Sequence, residues 1–476
     1  METRCKVFTP LDVANQMLDL VGFMGDVYGK RIVENSCGEG NILYAIVARY
    51  IDSLKGQSTE YIRQGLEHDI IGFDIDEDCC EKAKAKLDEL ANEYGIINVK
   101  WNIACIDTLL LKVDQEYDFV VGNPPYISYR DLDTQRREYL RENFNSCKVG
   151  AFDYCYAFIE HGLTSLKPDG KMIYLIPSSI FKNVHGKKLR ELMLDNLTAI
   201  YDYTSIKLFG KILTSSALII CNKNCRCNCI HYEDIAAKNN RDIPKTQLRD
   251  KWVFSEMTDE QNPENRVRFG DLFSASIVVA TLLNAAFVVS NYDALDDSYL
   301  KCKKYKIETE LTRVAVSPRN MRSGKQERII FPYYYTNNTL QRYSEIEFCE
   351  KFPCAAEYLN SYRDRLDKRN ADKQASWFEY GRSQALRHLN QAKLLVSTVI
   401  TGRIEVYNLD AECIPYAGIF ITPVGDAPLD VARQVLTSPE FMQYALAIGI
   451  CANGHSVRIS PKDIENYEFV MQEERN

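Results

Sequence analysis

The chain has 476 residues, of which 46% are hydrophobic and 26% charged, and its formal net charge is −8 at pH 7. This composition is ordinary for a soluble globular protein, and the length exceeds what one hydrophobic core usually organises, so two domains are expected. The acidic balance argues only weakly against a nucleic-acid ligand, because association depends on local patches rather than on the total charge.

No segment predicts a membrane span or a secretory signal. The nearest candidate, 274–289, contains Asn284 and is shorter than the roughly 20 residues that a spanning helix needs. The first four residues are not followed by an apolar core, so we expect a cytoplasmic protein with no membrane partner. The 16 cysteines are scattered, and reduced thiols are expected. The spacing of Cys221, Cys225, Cys227 and Cys229 favours free thiols over a zinc site.

Short apolar runs bounded by Gly, Pro, Asn or Asp predict buried parallel strands in the first half. These runs are 31–35, 70–75, 99–104, 119–122 and 172–176. Helical patterns at 77–94 and 154–166 lie between them, and further strands are expected near 199–203 and 217–221. The alternation predicts a doubly wound α/β sheet that binds its ligands beyond the carboxyl ends of the strands.

A polar region from about 222 to 265 predicts a domain boundary, because the strand and helix pattern loses its rhythm there. We expect a catalytic domain at 1–245 and a mixed α+β domain at 260–476. Basic residues cluster in two segments, and composition favours a solvated surface for both. The segments contain Arg130, Arg136, Arg137 and Arg141, and then Arg313, Arg319, Arg322, Lys325 and Arg328.

The tetrapeptide Asn123-Pro124-Pro125-Tyr126 follows a predicted strand and suits one chemical task. An exocyclic amine on an aromatic ring is a poor nucleophile, because its lone pair is delocalised into the ring. The Asn123 side-chain oxygen and the Pro124 carbonyl are two acceptors that would draw the nitrogen toward a tetrahedral geometry. Consecutive prolines fix the backbone, and Tyr126 offers a flat face on which a base can stack.

Acidic residues follow two other strands. Asp74 ends the second strand, where a carboxylate can accept both hydroxyls of a ribose. Asp76 is interpreted as the N-cap of the helix at 77–94. The segment 33–41 combines Glu34 with a Gly-rich turn, in which glycines allow the backbone to approach a ligand closely.

These motifs resemble those of the gamma-class (TaqI-type) adenine-N6 DNA methyltransferases over nearly the whole chain. The resemblance implies a class I methyltransferase sheet, S-adenosylmethionine as cofactor, no metal, and duplex DNA as substrate. Where the family usually has Pro and Ala after the acid, this chain has Asn35 and Ser36. The implied cofactor contacts are Thr9 and Pro10 over the methionine end, Glu34, Ser36 and Gly38 in the Gly-rich motif, Asp74 on the ribose, Ile75 and Asp107 at the adenine, and Asn123.

The resemblance also implies that the target adenine is extruded and stacked between Tyr126 and Phe209. The second half is similar to the family's target-recognition domain, where most aromatic residues are expected to form a structural core. Arginine and glutamine are suited to reading guanine and adenine. The DNA-binding candidates are Arg130, Lys211, Arg319, Arg322, Arg382 and Gln384.

Two other functions remain open from the sequence. A protein glutamine N5-methyltransferase would use the same tetrapeptide on a planar amide, but such enzymes lack a large downstream domain. A catalytically silent DNA-binding specificity protein would not need an intact Asn123 or Asp74. A cognate restriction endonuclease is a possible partner, since no nuclease signature is found in this chain.

Overall fold

The computed structural model describes residues 8–204, 206, 215–254, 266–453 and 456–471. The chain divides into two compact units, Met1–Ser255 (unit 1) and Glu256–Asn476 (unit 2). Unit 1 therefore extends beyond the predicted limit at residue 245, because residues after its last strand also pack in its core.

Unit 1 contains a nine-stranded sheet among its described residues. Its strands are β1 (Ile32–Glu34), β2 (Ile70–Asp74), β3 (Asn102–Cys105), β4 (Tyr117–Gly122), β5 (Leu166–Pro177), β6 (Leu197–Asp202), β7 (Ser216–Asn222), β8 (Cys229–Asp234) and β9 (Asn239–Pro244). Its helices are α1 (Leu11–Val21), α2 (Asn41–Ser53), α3 (Thr59–Asp69), α4 (Glu77–Glu93), α5 (Thr134–Asn143), α6 (Cys155–Ser165) and α7 (Lys187–Leu194).

The strand order is β3-β2-β1-β4-β5-β7-β6-β8-β9. Strands β1 to β5 pair in parallel, whereas β7 is antiparallel to both of its neighbours. The predicted α/β sheet is confirmed, as is the Asp76 side chain as the N-cap of α4, where it accepts from the Cys79 N–H. The doubly wound order brings the ends of β2, β1 and β4 side by side.

Two hydrophobic clusters cover the opposite faces of this sheet. Along β5, Met172, Tyr174 and Ile176 belong to one cluster, while Ile173 and Leu175 belong to the other, as the alternation of a strand requires. Residues of α5, α6 and α7 pack in the first cluster. Residues of α1 to α4 pack in the second, and α1 contacts β5 and β7.

The polar region 222–265, in which the boundary was predicted, contains the division between the two units after Ser255, but it also contains the last two strands of the sheet. β8 pairs in parallel with β6, and β9 pairs antiparallel with β8 at the sheet's edge. The chain then returns to the core, where Trp252 is 1% exposed and stacks on Phe181. Phe254 stacks on Tyr232 of β8. Residues up to 254 are thus part of the hydrophobic core of unit 1.

Unit 2 is built from short strands and short helices. Its strands are β10 (Arg266–Arg268), β11 (Phe273–Ile277), β12 (Val288–Val289), β13 (Asp293–Ala294), β14 (Tyr299–Cys302), β15 (Tyr305–Glu308), β16 (Thr312–Val316), β17 (Glu327–Ile330), β18 (Tyr333–Thr336), β19 (Thr339–Arg342), β20 (Lys393–Val396), β21 (Val399–Ile400), β22 (Tyr407–Leu409), β23 (Cys413–Pro415), β24 (Ile419–Pro423), β25 (Ile450–Asn453), β26 (Ser456–Arg458) and β27 (Glu468–Val470). Its helices are α8 (Phe269–Leu272), α9 (Asn284–Phe287), α10 (Pro318–Ser323), α11 (Glu345–Lys351), α12 (Pro353–Asn360), α13 (Arg363–Asp367), α14 (Leu429–Thr437), α15 (Pro439–Ile448) and α16 (Pro461–Glu465).

Two four-stranded sheets, β11-β24-β20-β22 and β12-β17-β16-β23, organise this unit. Many of its aromatic residues are core residues, including Phe331, Tyr333, Phe378 and Tyr380, which are buried. The apolar stretch 274–289 is divided among β11, α9 and β12. Among the described residues, no helix has the length and apolar character needed to cross a membrane.

Candidate active site

The carboxyl ends of β2, β1 and β4 bring the predicted site residues of unit 1 together. Asp74 ends β2 and Glu34 ends β1, while Asn123 directly follows β4. Hydrogen bonds join the segments that follow these strands: the Gly38 N–H donates to Asp74 Oδ2 over 2.8 Å, and the Ser36 hydroxyl donates to the Asn123 carbonyl over 3.5 Å. A single edge of the sheet thus carries all three motifs.

The Asp74 carboxylate is fixed by the backbone on both of its oxygens. Oδ2 accepts from Gly38, and Oδ1 accepts from the Asp76 N–H over 3.0 Å. Beside it, the side chain of Ile75 is 59% exposed, which is unusual for isoleucine. An oriented carboxylate next to an exposed aliphatic side chain fits a nucleoside, since one can accept ribose hydroxyls and the other can pack on a base.

The Gly-rich turn between β1 and α2 has the geometry that its glycines predict. Gly38 has a φ of +50°, and a Cβ at this position would lie 3.2 Å from the ring of Phe8. Gly40 has a φ of +76°, and a Cβ there would lie 2.9 Å from Ala83 Cβ. Larger residues would therefore strain the turn and separate it from the segments that pack against it.

Glu34 lies inside the fold rather than on the open edge. Its carboxylate is buried, and Oε2 accepts from the Leu43 N–H in the first turn of α2 over 3.1 Å. Burial raises the pKa of Glu34 well above its usual range and outweighs the bond from Leu43, which lowers it. The negative charge of Asp74 raises this pKa further.

Thr9 connects the segment before α1 to both motifs. Its carbonyl accepts from Asn41 Nδ2 over 3.0 Å, and its hydroxyl accepts from Asn123 Nδ2 over 3.3 Å. Asn41 is itself bound by Lys86 Nζ on α4 over 2.6 Å. Thr9 is 3% exposed, and the adjacent Pro10 is the N-cap residue of α1. The Asn123 amide is therefore held by a residue that precedes the sheet.

The tetrapeptide after β4 is anchored to the neighbouring strand. Pro124 is buried, and the hydroxyl of the half-buried Tyr126 donates to the Leu175 carbonyl of β5 over 2.9 Å. Next to it, Tyr174 donates to Asn35 Oδ1 over 2.7 Å. Asn35 is buried, and its Nδ2 has no hydrogen-bond partner among the described residues. Asn35 thus makes a buried polar contact with Tyr174, on the strand next to the tetrapeptide.

Asp107 forms an ion pair with a residue that the sequence did not predict as its partner. Its Oδ1 accepts from the Leu109 N–H over 3.0 Å, and its Oδ2 pairs with Arg136 Nη2 of α5 at 2.5 Å. The expectation that Arg136 lies on a solvated face is wrong, because its side chain is only 14% exposed. Arg136 lies 29 positions after Asp107, and no regular spacing in the sequence indicates that two residues so far apart form an ion pair.

The remaining site predictions are distributed over both units. Phe209 and Lys211 lie outside the described residues. In unit 1, Arg130 is exposed. In unit 2, Arg319 and Gln384 are exposed, Arg322 pairs with Glu405 at 2.8 Å, and Arg382 pairs with Asp372 at 3.0 Å. Arg322 and Arg382 therefore have acidic partners that DNA would have to compete with or rearrange.

The cysteine segment is not arranged around a common centre. Cys221 is buried within β7, whereas Cys227 and Cys229 are exposed and Cys225 accepts from the Cys227 N–H. In the described parts of the chain, no group of three or more His, Cys, Asp or Glu side chains is placed to hold a metal ion. The cysteines of these parts are free thiols.

Comparison with known proteins links unit 1 to DNA-modifying enzymes. Residues 49–209 match the family model of the Eco57I restriction-modification methylase. The chain is 23% identical to the type II methyltransferase M.BstVI of Geobacillus stearothermophilus, and the match covers 91% of this chain and 84% of that protein. It is 26% identical to the restriction enzyme and methyltransferase RM.Eco57I of Escherichia coli, over 62% of this chain and 33% of that protein.

Among solved structures, the chain is similar to the type IIL restriction-modification enzyme MmeI in complex with DNA. The TM-score is 0.62 at 14% identity, and the match covers 96% of this chain and 64% of that one. The chain thus spans a third of RM.Eco57I and less than two thirds of MmeI. The family model and the type II methyltransferase relatives show that the chain is similar to the methyltransferases of restriction-modification systems, with S-adenosylmethionine as the cofactor. The MmeI structure shows a similar fold.

Proposed function

We propose that this chain methylates the N6 amino group of a specific adenine in duplex DNA, as the modification enzyme of a restriction-modification or orphan system. The observation that carries the proposal is the position of Asn123 and Pro124. They follow β4, next to the strand ends that carry Glu34 and Asp74. An amine acceptor site and a nucleoside site therefore share one edge of the sheet.

Asn123 and Pro124 would bind the target amine. The Asn123 side-chain oxygen and the Pro124 carbonyl accept its two hydrogens, which makes the lone pair available for attack. The bond from Asn123 Nδ2 to Thr9 sets which end of the amide faces the base. When bound, S-adenosylmethionine supplies the methyl group. Fixed dipoles and correct positioning would provide most of the acceleration.

Tyr126 would hold the base in place. Its hydroxyl is bonded to β5 and its ring packs against the core, so the ring plane is fixed before DNA arrives. A base must leave the duplex to reach this ring, which costs a few kcal/mol of lost stacking and pairing. Stacking on an aromatic side chain returns about 1–3 kcal/mol. In the proposal, Phe209 stacks on the opposite face of the adenine.

The proposed DNA contacts divide between the units. In unit 1, Arg130 and Lys211 would contact the backbone near the extruded base. In unit 2, Arg319, Arg322, Arg382 and Gln384 would read or position the recognition site. The relatives named as restriction-modification enzymes, and the MmeI complex with DNA, support DNA as the partner. A cognate endonuclease would then recognise the same sequence.

The experiment that tests this function is incubation of the protein with labelled S-adenosylmethionine and unmodified genomic DNA, followed by modification-aware sequencing. We expect N6-methyladenine at one recognition sequence. An Asn123→Ala protein, treated identically, is the control. Methylation of cytosine N4 would retain the amine chemistry but contradict the adenine assignment. Transfer to protein, with none to DNA, would contradict the proposed function.

A further inference from the structure

The side of helix α5 that carries Arg136 faces the loop after β3. Arg136 Nη2 lies 2.5 Å from Asp107 Oδ2, and Arg136 Nε donates to the Tyr154 hydroxyl over 3.1 Å. The Arg136 and Asp107 side chains are 14% and 19% exposed. An ion pair sheltered to this degree is screened far less by salt than a surface pair.

The guanidinium has little freedom to leave Asp107. Its carbon lies 5.6 Å from the centre of the Tyr139 ring and 5.2 Å from that of Tyr154, so it contacts two aromatic side chains. Tyr139, on the same helix, donates its hydroxyl to the Leu109 carbonyl over 2.9 Å. Helix α5 therefore contacts the loop that contains Asp107 at two separate points.

The hydrogen bond from Leu109 and the ion pair with Arg136 leave the Asp107 carboxylate able to accept a third donor. Each carboxylate oxygen can accept two hydrogen bonds. Oδ1 accepts from Leu109 and Oδ2 from Arg136, and together they fix the plane of the carboxylate. Asp107 stands at the end of β3, beside the β2 end that carries Asp74. An amino group at the far end of a nucleoside bound at Asp74 is a suitable donor to this carboxylate.

We propose that Arg136 is a positioning residue for the cofactor's adenine, acting through Asp107. Arg136 orients the carboxylate so that an oxygen faces the 6-amino group, and a hydrogen bond to a carboxylate is stronger than one between two neutral groups. The inference rests on the proposed placement of the cofactor. If Arg136 has this role, helix α5 contributes to recognition of the cofactor's adenine. The segment that leads to α5 begins at Tyr126, so the same part of the chain also lies next to the proposed target site.

The test is binding of S-adenosylhomocysteine and of S-inosylhomocysteine, measured by calorimetry without DNA. The inosine analogue has a carbonyl where adenine has its amino group, so its 6-position cannot donate to Asp107. We expect the unaltered protein to prefer the adenosine compound. Arg136→Ala should weaken that compound's binding about tenfold, as for a charge-assisted hydrogen bond, and leave the affinity for the inosine compound within about twofold.

Two further variants identify the route of the effect. Asp107→Ala should weaken S-adenosylhomocysteine at least as much as Arg136→Ala, and the double variant should be no worse than Asp107→Ala alone. Arg136→Lys keeps the charge without the fork, so its affinity should lie between those of the parent and Arg136→Ala. The matched control is Arg137→Ala on the same helix, because Arg137 stacks on Tyr129 and donates to the Arg130 carbonyl.

Equal loss of affinity for both compounds would overturn the proposal, as would additive losses in the double variant. Either result would show that Arg136 acts on the fold and not through Asp107. If Arg136→Ala unfolds at a much lower temperature than the parent, Arg136→Lys replaces it in the comparison. The proposal then requires that Arg136→Lys discriminates less between the two compounds than the parent does, while it unfolds near the parent's temperature. Failure of DNA methylation by the unaltered protein would instead contradict the proposed function and leave this binding result standing.

Discussion

At the scale of single residues, Asn123 and Asp74 lie on one edge but contact different partners. Asn123 is bonded to Thr9, whereas Asp74 is bonded to the Gly-rich turn. We expect Asn123→Ala to lower methyl transfer at least 100-fold with the cofactor affinity nearly unchanged. Asp74→Ala should chiefly weaken cofactor binding. Transfer rates and calorimetric dissociation constants measure both effects.

The exposed Asn92→Ala on α4 serves as the control for those variants. Activity of Asn123→Ala within a few-fold of the parent would contradict its role at the amine. An unchanged dissociation constant in Asp74→Ala would contradict the ribose contact.

Glu34 gives a prediction about pH. Its pKa is raised in the folded protein, mainly by burial, and an unfolded glutamate titrates near pH 4.3. Above that pH the folded state holds more protons than the unfolded state, so stability falls as pH rises. Glu34→Gln does not titrate and can keep the bond from Leu43. The variant should therefore gain stability relative to the parent as the pH is raised from 4 to 8.

Denaturant unfolding of both proteins across this range measures the difference. Glu67→Gln, at a partly exposed glutamate on α3 that pairs with Arg63, is the comparison. A stability difference between parent and Glu34→Gln that does not change with pH would show that Glu34 titrates normally. Bound cofactor should make the parent's stability fall less steeply with rising pH if its positive charge lies near Glu34, because a nearby cation favours the ionised carboxylate.

At the scale of elements, strand β20 begins with a buried cation. Lys393 is 0% exposed, and its Nζ donates to the carbonyls of Leu389, Gln391 and Asp410 over 2.8, 3.0 and 2.6 Å. Lys393→Met keeps the volume but leaves these acceptors without a donor. We expect it to destabilise unit 2 by about 2–5 kcal/mol, measured by denaturant unfolding, with the exposed Lys301→Met on β14 as the control.

The pH dependence of this effect has the opposite sign to that of Glu34. Burial lowers the pKa of Lys393 to about 8, whereas an unfolded lysine titrates near 10.4. Between these values the unfolded state binds more protons, so the lysine's contribution to stability increases with pH. The gap between parent and Lys393→Met should therefore widen from pH 8 to pH 10. A constant gap would indicate an ordinary pKa for Lys393.

The sequence predicted those strands whose side chains are buried, because burial requires an apolar composition. The strands β1 to β7 were expected because each is an apolar run between turn residues. β9 was not, since an edge strand such as Asn239–Pro244 pairs on one side only and its side chains are largely exposed. The polar sequence of β9 is therefore typical of a loop. The Arg136–Asp107 pair was missed for a different reason, because ion pairs between distant segments follow no periodicity.

At the scale of the whole molecule, the length of unit 1 decides which fragments should fold. A fragment ending at Arg241 cuts β9 and removes Trp252 and Phe254 from the core, and loss of the buried tryptophan alone costs about 3–5 kcal/mol. A fragment ending at Ser255 keeps the complete sheet. We expect the longer fragment to unfold cooperatively and bind cofactor, and the shorter one to do neither well.

The same fragments test the division of labour between the units. If unit 2 selects the DNA sequence, residues 1–255 should bind cofactor but lose sequence-specific DNA binding, as measured by competition with unrelated duplexes. The full chain is the control. A 1–255 fragment that still methylated only the parent's recognition sequence would contradict the assignment of recognition to unit 2.

The packing of α1 has a consequence for protein synthesis. This helix leaves the ribosome well before β5 and β7, which it contacts in the folded unit. At about 5–20 residues per second, translation of the residues between α1 and the end of unit 1 takes on the order of 10–50 s. During that interval α1 can already pack on α2, but the part of α1 that contacts β5 and β7 still lacks its native partners and has to be covered by temporary contacts.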